Sequence, residues 1–144
     1  MAARMSGPLY TTEILRLAAS LHDVRELERE DGRAELRSPT CGSRIAIAVQ
    51  LDSDRRVAAI SQRVNACAFG QASAALVQQH GIGRAHDEVA GALVAVSRWL
   101  AEEQEEAGDW PGLQILAPAR QRKGRHGAIL LPFRALLAAI ESAG

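Results

Sequence analysis

The chain has 144 residues, which suits one domain with one core rather than two. Its 17 Lys plus Arg are matched by 17 Asp plus Glu, so no global field drives it onto nucleic acid or an anionic membrane, and electrostatic recognition has to be local. Hydrophobic residues make up 47% but aromatic ones only 3%, and a core of Ala, Leu, Ile and Val favours helices with small-residue packing over an aromatic-rich sandwich.

The N-terminal MAARMSGPLYTTEI lacks the apolar stretch of a secretory signal, and no run of about 18 apolar residues follows, so the expected location is cytoplasmic, with no membrane partner. The first expected helix runs from about Tyr10 to Ser20, with Thr11 or Thr12 as its cap and Ile14, Leu15, Leu17, Ala18 and Leu21 at helical spacing. The charged HDVRELEREDGR follows as a turn-prone linker. Strands are expected over Ala34–Ser38, Arg44–Leu51 and Val57–Val64; Ile45, Ile47, Val49 and Leu51 alternate, and DSDRR connects the last two. The period changes after Cys67, where Phe69, Ala72, Ala75 and Leu76 suit a helix to about His80, ended by Gly81 and Gly83. A longer helix is expected from about Ala85 to Glu106, with Val89, Leu93, Val96 and Leu100 as its apolar stripe. Its acidic EEQEE end opposes the macrodipole and should fray. GDWPGLQIL reads as a turn with room for one short helical turn, APARQRKGRHG as a basic loop, and AILLPFRALLAAIESA as a final helix with Pro132 in its first turn. Strands first and helices after, without βαβ alternation, place residues 1–144 in the α+β class as a single domain with an antiparallel meander.

The two cysteines carry the most specific chemistry. There is no CxxC pair, and a structural disulfide does not suit a reducing compartment. Cys67 stands just before an expected helix, where unpaired N–H groups and the positive end of the dipole stabilise a thiolate, the form that ligates metal and acts as nucleophile. Its structural alternative is a small packed residue beside Ala66 and Ala68. Cys41, in a turn between Pro39 and Gly42, is poorly placed for a core and well placed for a cleft. Two such cysteines at element ends point to a shared site. His22, His80 and His86 read as solvated or capping residues, and His126 lies in the basic loop. Arg120, Arg122, Lys123 and Arg125 have no aromatic neighbour for base stacking, so that loop suits an acidic partner better than nucleic acid. Neither a dinucleotide fingerprint at Gly81–Gly83 nor a GxSxG elbow is present.

The order PTCGS, two strands, CAFGQASAAL, a long helix and a late RHGAILLPFRAL resembles the U-type iron–sulfur cluster scaffold proteins, the family of IscU, SufU and the NifU N-terminal domain. LYTTEILRLA is similar to that family's first helix, so the resemblance covers nearly the whole chain. It implies a three-stranded antiparallel sheet with helices packed on one side, and a carrier rather than a turnover enzyme. A cysteine desulfurase and cluster-acceptor proteins are the partners it implies. It also implies a metal site at Cys41 and Cys67 with His126 as third donor, flanked by Gly42, Ser43 and Arg125. Two departures stand out: the family's ligating Asp after Cys-Gly is Ser43 here, a weak ligand, and its third cysteine is missing, the matching stretch being Arg125–Ala128. No match is found for the Pro-rich chaperone-recognition motif of IscU. Three donors are one short of the four terminal positions of a 2Fe–2S cluster, so water, an external thiol, another side chain or a second copy in a homodimer would complete the set. Zinc would accept the same three donors plus water. The expected cargo is therefore an iron–sulfur cluster or zinc, held weakly enough to be lost on purification; the remaining reading is a metal-free interaction module.

Overall fold

The computed structural model describes residues 10–21, 26–39 and 42–144. His22 and Cys41 lie outside the described residues. The elements run α1 (Thr12–Ala19), β1 (Gly32–Arg37), β2 (Arg44–Leu51), β3 (Val57–Asn65), α2 (Ala68–His80), α3 (His86–Leu100), a 3₁₀ segment (Leu113–Gln121) and α4 (Lys123–Ser142).

The three strands form an antiparallel sheet in sequence order. Its register sets Ile45 between Leu36 and Val64, Ile47 between Ala34 and Gln62, and Val49 between Gly32 and Ile60. Because side chains alternate along a strand, these rows share one face, and Ile45, Ile47, Val49 and Leu51 are all buried there. The helices cover that face: α4 packs on β1 and β2, α2 packs on β3 and α4, and α1 and α3 close against those two helices. This is the expected α+β arrangement with one-sided helices. A Cβ on Gly32 would overlap the Ala139 carbonyl oxygen, so the glycine lets β1 lie flush on α4. Between the helices Trp110 meets Phe133 edge-on, with ring centroids 5.1 Å apart, and donates its indole N–H to the Leu76 carbonyl at 3.0 Å. Among the described residues no helix is long and apolar enough to cross a membrane.

Two helix expectations need correction. The helix expected to reach Glu106 stops at Leu100, and Glu102 takes a left-handed φ of 61°. The Arg120 guanidinium closes that end, donating to the carbonyls of Trp99 at 2.8 Å and Gln104 at 2.9 Å. The second correction concerns the basic loop, which is helical. Leu113, Leu116 and Ala119 are fully buried at three-residue spacing, the repeat that puts side chains on one face of a 3₁₀ helix. Then α4 begins at Lys123, so Pro132 falls in its interior rather than its first turn. A proline there removes one backbone bond and crowds the preceding turn. The buried Ser73 hydroxyl donates to the neighbouring Ile129 carbonyl at 2.6 Å, and packing of α4 on the sheet and α2 outweighs the local cost.

Candidate metal centre

One end of the sheet gathers the segments that carry the candidate ligands. Ser38 N–H donates to the Ser43 carbonyl at 2.8 Å, and Gly42 N–H donates to the Ser38 carbonyl at 3.0 Å. Gly42 has φ 74°, a conformation that glycine adopts without strain. These bonds close the β1–β2 turn in which Cys41 falls by sequence. Ser43, the residue in place of the family's Asp, is buried at 4% exposure. The next residue, Arg44, pairs with Asn65, two positions before Cys67. The turn and the start of α2 therefore sit side by side.

Cys67 is the N-cap of α2, with extended backbone (φ −67°, ψ 174°), and is a half-buried free thiol. Its side chain makes no capping bond, whereas Thr11 at the same position of α1 accepts from Ile14 N–H at 3.1 Å. A thiol is a poor cap, and the first N–H groups of α2 remain oriented towards whatever sits beside the sulfur.

His126 lies in the first turn of α4, half-buried. Its Nε2 is 2.9 Å from the Ala119 carbonyl oxygen and 3.0 Å from that of Arg120. Both partners only accept, so Nε2 carries a proton, and Nδ1 is left with no hydrogen bond among the described residues. A backbone-tethered imidazole of this kind is the usual outer-shell arrangement of a metal-ligating histidine. The start of α2 packs on α4: a Cβ on Gly70, in the first turn of α2, would lie 3.4 Å from the Ala128 Cβ in the second turn of α4 and 2.6 Å from the Ala66 Cβ just before α2. Tyr10 adds a third element, its ring 5.3 Å from that of Phe69 and 6.0 Å from the Arg125 guanidinium.

The described residues thus bring the helix starts bearing Cys67 and His126 to one end, beside the turn of Gly42 and Ser43, with Arg125 stacked nearby. Among them no group of three His, Cys, Asp or Glu side chains is set to hold a metal ion. His86 lies elsewhere, bridging Asp87 and Glu141 at 2.9 Å each, so it ties α3 to α4 rather than capping a helix. The basic patch is partly consumed in structure, with Arg120 on backbone carbonyls and Arg125 over Tyr10. Sequence reasoning missed the carbonyls that orient His126, which any residue type at positions 119 and 120 would supply.

An antiparallel three-stranded sheet covered on one face by helices, with a free cysteine at the N-cap of α2 and a tethered histidine in the first turn of α4, defines a small α+β domain. No family model matches the chain, and no curated protein matches it. Solved structures do. An N-terminal NifU-like nitrogen-fixing protein from Brucella abortus superposes with a TM-score of 0.83 at 30% identity, covering 94% of each chain. A protein described as an iron–sulfur cluster assembly scaffold for the SUF system, from the thermophile Fervidobacterium islandicum AW-1, shares the fold with a TM-score of 0.81 at 16% identity, over 92% of this chain and 96% of that one. The chain belongs to the family of NifU-like N-terminal domains, the U-type iron–sulfur cluster scaffolds.

Proposed function

We propose that the protein is an iron–sulfur cluster assembly scaffold or carrier that receives iron and sulfide through Cys41, Cys67 and His126. The observation that carries this reading is the tethered His126, whose Nε2 bonds leave Nδ1 as a donor at the same end of the sheet as the uncapped Cys67. The likeness to a NifU-like domain and to a SUF-system scaffold supports it. Cys67 stands at the start of α2 with no capping bond, and the Nε2 atom of His126 is taken by two carbonyls, which leaves Nδ1 for a ligand. With Ser43 and Gly127 or Ala128 where the family has an Asp and a cysteine, the site offers fewer anionic ligands, leaving a position for an external thiol, a second copy or an acceptor protein. A cysteine desulfurase is the sulfur source that the likeness to a SUF-system scaffold suggests.

A second reading is favoured by the same donor set: two sulfurs and one nitrogen with an open fourth position suit zinc, near which a thiolate takes the outer sulfur of a desulfurase persulfide and releases the desulfurase thiolate. Anaerobic reconstitution with iron and sulfide separates the two. A scaffold develops charge-transfer absorption in the visible that Cys67→Ser abolishes. Colourless protein that carries stoichiometric zinc by elemental analysis supports the second reading, and protein that takes up neither metal overturns both.

A further inference from the structure

The outer face of the sheet, away from the helices, has a charge pattern that the metal site does not use. Its cross-strand rows are Arg37–Arg44–Asn65, Glu35–Ala46–Arg63 and Arg33–Ala48–Ser61. The four arginines are exposed, and none makes an ion pair among the described residues, in a chain with as many carboxylates as cations. Arg37 and Arg44 stand directly opposite each other, with Arg63 on the diagonal from Arg44. Like charges so placed repel and destabilise the strand pair. The floor between them is made of small residues, Ala46, Ala48 and Ser61, so the face is hollow. Two adjoining depressions of about 440 and 620 Å³ share Glu35, Ala46 and Arg63. The first is walled by Glu26, Leu27 and Glu30.

We infer that this face docks an acidic protein partner, whose carboxylates would engage Arg33, Arg37, Arg44 and Arg63 while an apolar ridge lies over Ala46 and Ala48. Glu35 offsets part of this charge, a partner's carboxylates would offset the rest, and guanidinium pairs with carboxylate in a bidentate geometry. A protein fits better than a nucleic acid. Glu35 in the middle row and Glu26 and Glu30 on the wall oppose a continuous polyanion, and no aromatic side chain lines either depression. The Arg37–Arg44–Asn65 row is at the cysteine end of the sheet, with Asn65 two positions before Cys67 along the chain. The inference does not depend on whether the site holds iron, zinc or nothing.

The test uses the full chain and, as probes, a labelled helical peptide of about 20 residues rich in Glu, Ala and Leu and an oligothymidine of similar length. Saturable binding of the peptide is expected, weakened by raising NaCl to about 0.5 M. The Arg37→Gln/Arg44→Gln variant should bind at least about tenfold more weakly, while Arg122→Gln/Lys123→Gln binds as the parent does. That first variant should also melt at the same temperature or slightly higher, because a repulsion has been removed; a fall would assign these arginines to stability and overturn the inference. Tighter binding of the oligothymidine, no saturable peptide binding, or equal binding by the Arg37/Arg44 variant would each overturn it too. Metal loading of the same variant, measured in parallel, keeps this outcome separate from the fate of the scaffold reading.

Discussion

The two ends of the sheet are finished in opposite ways. At the end where β2 reaches Leu51, polar groups are spent on each other. Asp31 accepts from Leu51 N–H at 2.7 Å, the Ser142 hydroxyl accepts from Arg33 N–H at 2.9 Å, Arg56 pairs with Glu88 at 2.6 Å, and His86 joins Asp87 to Glu141. Gly32 lies against the backbone of α4 with no room for a side chain. At the other end, among the described residues, the Cys67 thiol caps nothing, the Nδ1 atom of His126 has no hydrogen bond, and Arg37 and Arg44 face each other without an ion pair. The first end is closed by paired polar groups, and the second leaves donor atoms and charge without partners among the described residues. Since α4 runs from one end to the other, its packing on the sheet couples the rigid end to the reactive one.

The sharpest way to break the rigid end is Gly32→Ala. The new methyl would meet backbone rather than a movable side chain, so a loss of about 3 kcal/mol is expected, with the melting temperature down by roughly 6–12 °C. A loss below about 1 kcal/mol would show that β1 can shift freely on α4. At the reactive end Gly70→Ala should cost less, about 1–2 kcal/mol, because its methyl meets the Ala66 and Ala128 methyl groups. It should shift the start of α2 on α4 and lower iron or zinc loading by more than the stability loss accounts for. Unchanged metal uptake in a destabilised variant would separate the site from this helix contact. The smallest effect belongs to His86, whose pKa is raised by its hydrogen bonds to Glu141 first and Asp87 second. Its contribution is full below the ordinary imidazole pKa of about 6.5 and is lost as pH rises through the higher folded value. His86→Gln should therefore flatten a shallow decline in melting temperature above about pH 6.5; parallel curves for parent and variant would place that pair outside the stability of the rigid end. The pair is exposed, so salt should shrink the effect.

What the amino-acid order determined by itself is what local periodicity encodes. Alternation from Ile45 to Leu51 specifies which sheet face is buried, the change of period after Cys67 marks the start of α2, and the Thr11–Thr12 pair announces the α1 cap, which falls on Thr11. The positions of Cys67 and of the Cys41 turn at element boundaries follow from the same signals. The three-residue spacing of Leu113, Leu116 and Ala119 was also present in the chain, but it marks a 3₁₀ turn only once burial shows which side is inside. Tertiary structure decided the rest. It carried α4 back to Lys123 through a stretch with no apolar stripe and kept Pro132 in a helix interior, because contacts with α2 and the sheet outweigh local preference. It closed the end of α3 with Arg120 and oriented His126 on two carbonyls, bonds that have no side-chain signature. It also made neighbours of four arginines scattered from position 33 to 63, because outward direction is a property of one strand, whereas adjacency is a property of register between strands.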